Sequence, residues 1–189
     1  MNDLTEDDKA VLVALHNGNE VDFQLSTGAC PFSIHFAGTN IHHVLKKTSG
    51  ALARIHPDAR SYSSDVVRMP RVSDWVEFTV KETGDYAFRS PVTLKPEAGA
   101  AVAEIAREFA ARPLTNPEKT ALMNADITGI SVLEGRGYFG VESYAAGDKT
   151  FRRAVIYGLF LRSLLAIDEK GRIGASATGR AWLAANASS

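Results

Sequence analysis

Asp148-Lys149-Thr150-Phe151-Arg152-Arg153-Ala154-Val155-Ile156-Tyr157-Gly158-Leu159-Phe160-Leu161-Arg162-Ser163-Leu164-Leu165-Ala166 is the most regular stretch of the 189-residue chain, and its reading decides how the carboxyl-terminal part is built. It holds no proline and one glycine, Gly158, and Asp148 is placed to accept a hydrogen bond from first-turn amides. The spacing therefore predicts a helix from Lys149 to Ala166, about five turns at 3.6 residues per turn. At 100° per residue Lys149, Arg152, Arg153 and Ile156 fall on one side, and Phe151, Ala154, Val155, Gly158, Leu161 and Leu165 on the apolar side. Arg162 lies outside the basic stripe, a position that suits an ion pair or a boundary between core and solvent.

Charge sharpens the reading. Residues 149–189 carry seven basic side chains (Lys149, Arg152, Arg153, Arg162, Lys170, Arg172, Arg180) and two acidic ones (Asp168, Glu169), a local +5 in a chain of net charge −1. Downstream, Ala166-Ile167, the turn Asp168-Glu169-Lys170-Gly171 and Arg172-Ile173 form a strand-turn-strand pattern. Thr178-Gly179 opens a last helix holding Trp182 and Leu183. Upstream, Asn116-Pro117 begins a short helix through Met123. Ile130 to Leu133 and Tyr138 to Val141 read as strands around Gly135-Arg136-Gly137.

The string Gly158-Leu159, Leu164 to Ile173 and Thr178-Gly179-Arg180 resembles the recognition helix, wing and closing helix of winged-helix DNA-binding domains, over about forty residues. The resemblance implies that Lys149, Arg152 and Arg153 approach a groove while Lys170 and Arg172 on the wing touch phosphates. Where that superfamily has a second helix, Ile130 to Ala146 reads as strand and glycine-rich loop. Phosphate contacts of this kind release condensed counterions, so affinity falls with salt and carries no sequence preference by itself.

The amino-terminal part has a different pattern. Thr5-Glu6-Asp7-Asp8 offers a cap followed by carboxylates at the positive end of a helix dipole, Val11, Leu12 and Leu15 its apolar side, and Gly18 a stop. Val21, Phe23 and Leu25, then Phe32, Ile34 and Phe36, alternate as in a hairpin with one buried face. Thr39 or Asn40 caps a helix in which Ile41, Val44, Leu45, Thr48, Leu52 and Ile55 recur until Pro57, its other face carrying His43, Lys46, Lys47 and Arg54. Val66 to Met69 suits a strand. Val76, Phe78 and Val80, the turn Glu82-Thr83-Gly84-Asp85 and Tyr86 to Phe88 predict a second hairpin. Pro96 starts a helix to Arg112 with Ala98, Val102, Ile105, Ala106 and Phe109 inward.

Hairpins cannot bury their apolar faces alone, so the expected fold is α+β: an antiparallel sheet of about four strands with helices on one face, plus a winged-helix-like unit at the carboxyl end. The Pro113–Pro117 connector separates residues 1–112, a sensing or docking unit, from 113–189. Twelve basic and fifteen acidic side chains give the first −3, and nine against seven give the second +2, so charge changes sign at the boundary.

Several functions are set aside at this level. The acidic start, Asp3 to Asp8, is unlike a secretory signal. The longest apolar run, Ala154 to Leu161, falls far short of the roughly 20 residues that cross a bilayer. A water-soluble cytoplasmic protein with no membrane contact is expected. A lone Cys30 supports neither an internal disulfide nor a cysteine zinc site. Gly135 to Gly140 matches G-x-G-x-x-G literally, but no helix follows and no suitable acid lies downstream, so no dinucleotide cofactor is expected. His35, His42, His43 and His56, with Cys30 and Asp58 near, read as solvent-facing imidazoles rather than a metal or catalytic centre. The leading expectation is a non-enzymatic DNA-associated protein, plausibly a regulator, contacting nucleic acid through Lys149, Arg152, Arg153, Lys170 and Arg172. The alternative is a protein-protein interaction module docking on an acidic partner, and the third reading a small enzyme using the histidine-rich helix.

Overall fold

The computed structural model describes residues 4–24, 32–36, 42–45, 50–55, 71–79, 89–133 and 143–186. The fold is α+β, and the chain divides into two compact units, Met1–Phe109 and Ala110–Ser189.

In the first unit, helix α1 (Glu6–His16) starts as its sequence dictates. Thr5 Oγ1 accepts from the Asp8 amide at 3.2 Å, and Asp8 Oδ2 accepts from the Thr5 amide at 2.7 Å, a reciprocal cap that lets the Asp8 carboxylate be fully buried. Strands β1 (Glu20–Gln24), β2 (Phe32–His35), β3 (His42–Leu45), β6 (Val76–Phe78) and β7 (Arg89–Leu94) form an antiparallel sheet in the order β3-β2-β1-β7-β6. A two-stranded ladder joins β4 (Arg54–Ile55) to β5 (Arg71–Val72). The register sets Val21 opposite Ile34 and Val92, and Phe23 opposite Phe32, on one face. Phe23 then lies edge-on to Phe32 and Phe78, with centroids 5.1 and 5.3 Å apart. Helix α1 packs on β1, β2 and β7. Pro96 opens a 3-10 turn that buries Ala98 and leads into α2 (Gly99–Ala111), whose buried residues are Val102 and Ala106.

The helix expected from Ile41 to Ile55 is corrected: His42–Leu45 is β3, paired with β2, and Arg54–Ile55 is β4. Ile41, Val44 and Thr48 are β-branched and Gly50 sits mid-segment, so helix propensity is low. A four-residue strand also buries Leu45 beside Phe32, a gain that a solitary amphipathic helix would forgo. The second hairpin exists with a shifted partner, because Val76 pairs with Leu94 and Phe78 with Val92. The proposed caps Thr39 and Asn40, the strand at 66–69, the turn at 82–85, the strands at 86–88 and 138–141 and the Gly135-Arg136-Gly137 turn lie outside the described residues.

The second unit begins with a connector and α3 (Asn116–Ile127). Thr115 caps it, with Glu118 Oε2 accepting from the Thr115 amide at 2.7 Å. After Gly129, in the left-handed region at φ +75°, the Ile130 amide donates to the Ile173 carbonyl at 2.8 Å. Strands β8 (Ser131–Leu133), β9 (Ser143–Ala146) and β10 (Lys149–Arg152) form a sheet in the order β10-β9-β8. Then come α4 (Arg153–Leu161), the hairpin β11 (Leu165–Ile167) and β12 (Ile173–Ala175), and α5 (Ala177–Asn186). The core joins Leu122, Tyr144, Ile156 and Leu159, all fully buried, with α3 packed on α4, β12 and α5.

The long helix expected from Lys149 to Ala166 is also corrected. Gly147, at φ +61°, and Asp148 form a two-residue hairpin turn, so Asp148 is a turn residue rather than a cap. Residues 149–152 pair with β9, setting Phe151 opposite Tyr144, and the helix starts only at Arg153. It ends at Arg162 in a tight two-bond cap: Leu164 donates to the Leu159 carbonyl and Ser163 to that of Phe160, both at 2.9 Å.

Candidate nucleic-acid interface

Lys149, Arg152 and Arg153 are exposed, and none has an ion-pair partner among the described residues. They do not share a helical stripe. On β10 side chains alternate, so Lys149 lies on the side of buried Phe151 and Arg152 on the side of Thr150. Arg152 is the residue before the first turn of α4 and Arg153 its first residue. That end has no capping side chain and no acidic residue in its first turn. Two cations at the positive end of a helix dipole oppose folding, by about 0.3–1 kcal/mol each at an exposed site.

One turn further, the Tyr157 ring stands edge-on to Tyr144, with centroids 6.1 Å apart. Burial raises the Tyr144 phenol far above the ordinary tyrosine range. The Tyr157 hydroxyl adds to this and the Arg153 charge opposes it. The Tyr144 hydroxyl faces Tyr157 without reaching good hydrogen-bonding geometry. A phenol so covered stays protonated and meets no substrate, which leaves it a core residue.

The β11–β12 hairpin, expected to serve as a wing, is tight. The Asp168 amide donates to the Arg172 carbonyl at 2.9 Å, and Gly171 takes the left-handed position at φ +76°. Asp168 Oδ1 accepts from the Lys170 and Arg172 amides, both at 2.9 Å, while Oδ2 accepts from Arg172 Nε and Nη2, both at 2.8 Å. These donors, the Arg172 amide foremost, hold the Asp168 carboxyl below the usual carboxylate range. Arg172 is thus engaged within the turn, while Lys170 is exposed. With Asp168, Glu169, Lys170 and Arg172 the turn carries no net charge.

Two other cations of the carboxyl-terminal excess are structural. Arg162 is buried, and its Nη2 donates to the main-chain carbonyls of Ala110, at 3.0 Å, and Arg112. Arg180 Nη1 donates to the Ala175 carbonyl at 2.6 Å. Of the seven cations of residues 149–189, Lys149, Arg152, Arg153 and Lys170 have no side-chain partner among the described residues. The structure sets Arg152 and Arg153 side by side, puts Lys149 at the far end of β10, and carries Lys170 and Arg172 on a separate hairpin.

The first unit contains a serine, a histidine and an aspartate on one sheet face. His35 Nε2 lies 3.2 Å from Asp22 Oδ2, and Ser33 pairs across from Asp22. The Ser33 hydroxyl is fully covered, so no substrate carbonyl can reach it. His43 sits level with Ile34 on the apolar face of β3 rather than on a wet helix face. No cluster of three metal-ligating side chains occurs among the described residues, and His56, Cys30 and Asp58 lie outside them. No helix among the described residues is long and apolar enough to cross a membrane.

Sequence reasoning missed an apolar surface. Met123 and Ile127, four apart on α3, are 53% and 77% exposed. Ile127 also borders a groove of about 490 Å³ between the end of α3 and the β11–β12 hairpin, lined further by Asp126, Ala166, Asp168, Gly174 and Arg180. Asp168 and Arg180 are already bonded to Arg172 and Ala175, so they do not converge on a ligand. Comparison with family models, curated protein sequences and solved structures returns no match.

Proposed function

We propose that the chain is a non-enzymatic, DNA-associated cytoplasmic protein, plausibly a regulator. In this reading the second unit meets nucleic-acid phosphates through Arg152 and Arg153, with Lys149 and Lys170 as flanking contacts. The observation that carries it is the arginine pair itself: exposed, without carboxylate partners among the described residues, and set at an uncapped helix end where it opposes folding. Residues kept at a cost to stability point to a ligand, and both the helix end and the guanidinium groups select an anion. The order α3, Ile130 bridge, α4, β11, wing, β12, α5 supports the likeness to winged-helix domains, with strands β8 to β10 where their second helix stands.

Because α4 exposes only its first turn and buries Ile156, Tyr157, Leu159, Phe160 and Leu161, it would meet a duplex end-on, reading phosphates rather than lying along a groove. Four uncommitted cations imply a slope of log affinity against log salt of about −3.6, at about −0.9 per phosphate. Fluorescence anisotropy with a labelled duplex tests this. Arg152→Ala with Arg153→Ala is expected to flatten the slope by about 1.8. Absence of binding at low salt, or binding indifferent to both changes, rejects the proposal.

The exposed Met123 and Ile127 favour a second reading, a protein-docking unit. Stoichiometric co-purification of a protein that Ile127→Lys abolishes, with no duplex affinity, would select it.

A further inference from the structure

We propose that Asp168 is an intramolecular brake on the wing: its carboxylate occupies the guanidinium fork of Arg172 and withholds that cation from a nucleic-acid phosphate. This inference rests on the nucleic-acid reading and adds its regulation. Arg172 offers Nε and Nη2 along one edge, the edge that phosphate or carboxylate takes in a bidentate contact. Asp168 Oδ2 already holds both, at 2.8 Å each. The same carboxylate is fixed in place from its other oxygen, because Oδ1 receives the Lys170 and Arg172 amides at 2.9 Å. It is therefore part of the turn rather than a floating counterion. The pair is solvent-exposed, with 40% of the Asp168 side chain and 72% of that of Arg172 accessible, so a phosphate of higher charge density can compete for the guanidinium.

The brake sets what the wing recognises. With Asp168 in place the turn is neutral and engages only a strong, closely apposed polyanion. With the carboxylate neutralised it carries +1 and a free fork.

Asp168→Asn separates the two roles of the side chain. The amide oxygen can still accept from the Lys170 and Arg172 amides and keep the turn, while the group facing the guanidinium loses its charge. Glu169→Gln removes the same charge from the adjacent exposed position, outside the Asp168–Arg172 pair. The experiment is duplex anisotropy at about 50 and 200 mM salt with the full chain and both variants, alongside Arg152→Ala. Asp168→Asn is expected to bind more tightly than Glu169→Gln and the parent, with a slope steeper by about 0.9, so that its advantage over the parent shrinks about 3.5-fold over this salt range. Asp168→Asn and Glu169→Gln tightening equally, or neither tightening while Arg152→Ala weakens binding, overturns the brake and leaves the nucleic-acid reading standing. No binding by any of the proteins at low salt overturns both.

Discussion

Arg162 offers the sharpest test of how the second unit is held together. Its side chain is buried, only 9% exposed, and Nη2 spans the Ala110 and Arg112 carbonyls. Nε is covered without a partner among the described residues, and desolvation pushes the guanidinium pKa down, with the Glu118 charge opposing it and that of Arg112 adding to it. Burial therefore works against the charge, and two hydrogen bonds with a charged donor offset it. Arg162→Ala removes both bonds and leaves a hole, for an expected loss of about 3 kcal/mol. Arg162→Met fills much the same volume without a charge to desolvate. The freed carbonyls belong to exposed residues and return to water, so the loss is expected to stay within about 1 kcal/mol. Hydrogen exchange of the α4 amides reports the unit's own opening free energy. At about 1.4 kcal/mol per tenfold, the alanine variant should exchange about 150-fold faster and the methionine variant less than about fivefold. Equal acceleration by the two refutes the reasoning, since it would make the hydrogen bonds rather than packing decisive.

The arginine pair should trade affinity against stability: Arg152→Ala with Arg153→Ala is expected to raise the unfolding free energy of the second unit by about 1 kcal/mol through the helix dipole, read in a denaturant melt. Ser163 sits at φ +56°, where a side chain costs about 1–2 kcal/mol, so Ser163→Gly should stabilise by about 0.5–1 kcal/mol after glycine's own entropy, seen as a higher melting temperature. Gly179 packs against the Leu164 backbone so closely that an added Cβ would overlap the carbonyl oxygen; Gly179→Ala should destabilise by at least about 1–3 kcal/mol and unlock α5 from the β11–β12 hairpin in exchange measurements. The β11–β12 turn has a pH dependence of definite sign. Because the Asp168 carboxyl is depressed in the folded state, its contribution is complete above the ordinary carboxylate range and is lost as pH falls through the lowered folded value. The Arg172 amide resonance should move only in that acid window, and not in Asp168→Asn.

What was legible in the sequence is what is written locally. Thr5 with Asp8 and Gly18 define α1, alternation defines the β1–β2 hairpin, Pro96 opens the turn that leads into α2, and the acidic-basic turn before Arg172 gives the β11–β12 hairpin. The two misread segments share one cause. Over four or five residues an i, i+3, i+4 spacing and strict alternation fit the same apolar positions, and Leu45 and Phe151 satisfy both. A neighbouring strand breaks the tie by burying them, through Phe32 for Leu45 and Tyr144 for Phe151. A usable signal existed in each case: Gly50 inside the supposed helix, and Gly147-Asp148 flanked by alternating residues. For the candidate site, the exposure of Arg152 and Arg153 follows from short-range chemistry, whereas the phosphate role expected of Arg172 overlooked its pairing with Asp168 four residues earlier. The role of Arg162 does not, because the carbonyls it holds lie 52 and 50 residues earlier.

The direct passage of β10 into α4 leaves no slack between strand and helix: Arg152 closes one and Arg153 begins the other. A single residue inserted between Phe151 and Arg152 would swap the side of the ribbon on which Arg152 emerges, and a deletion there would do the same. Drift in length should therefore be confined to the loops, while this splice point tolerates substitution but not a change of frame in its pleat.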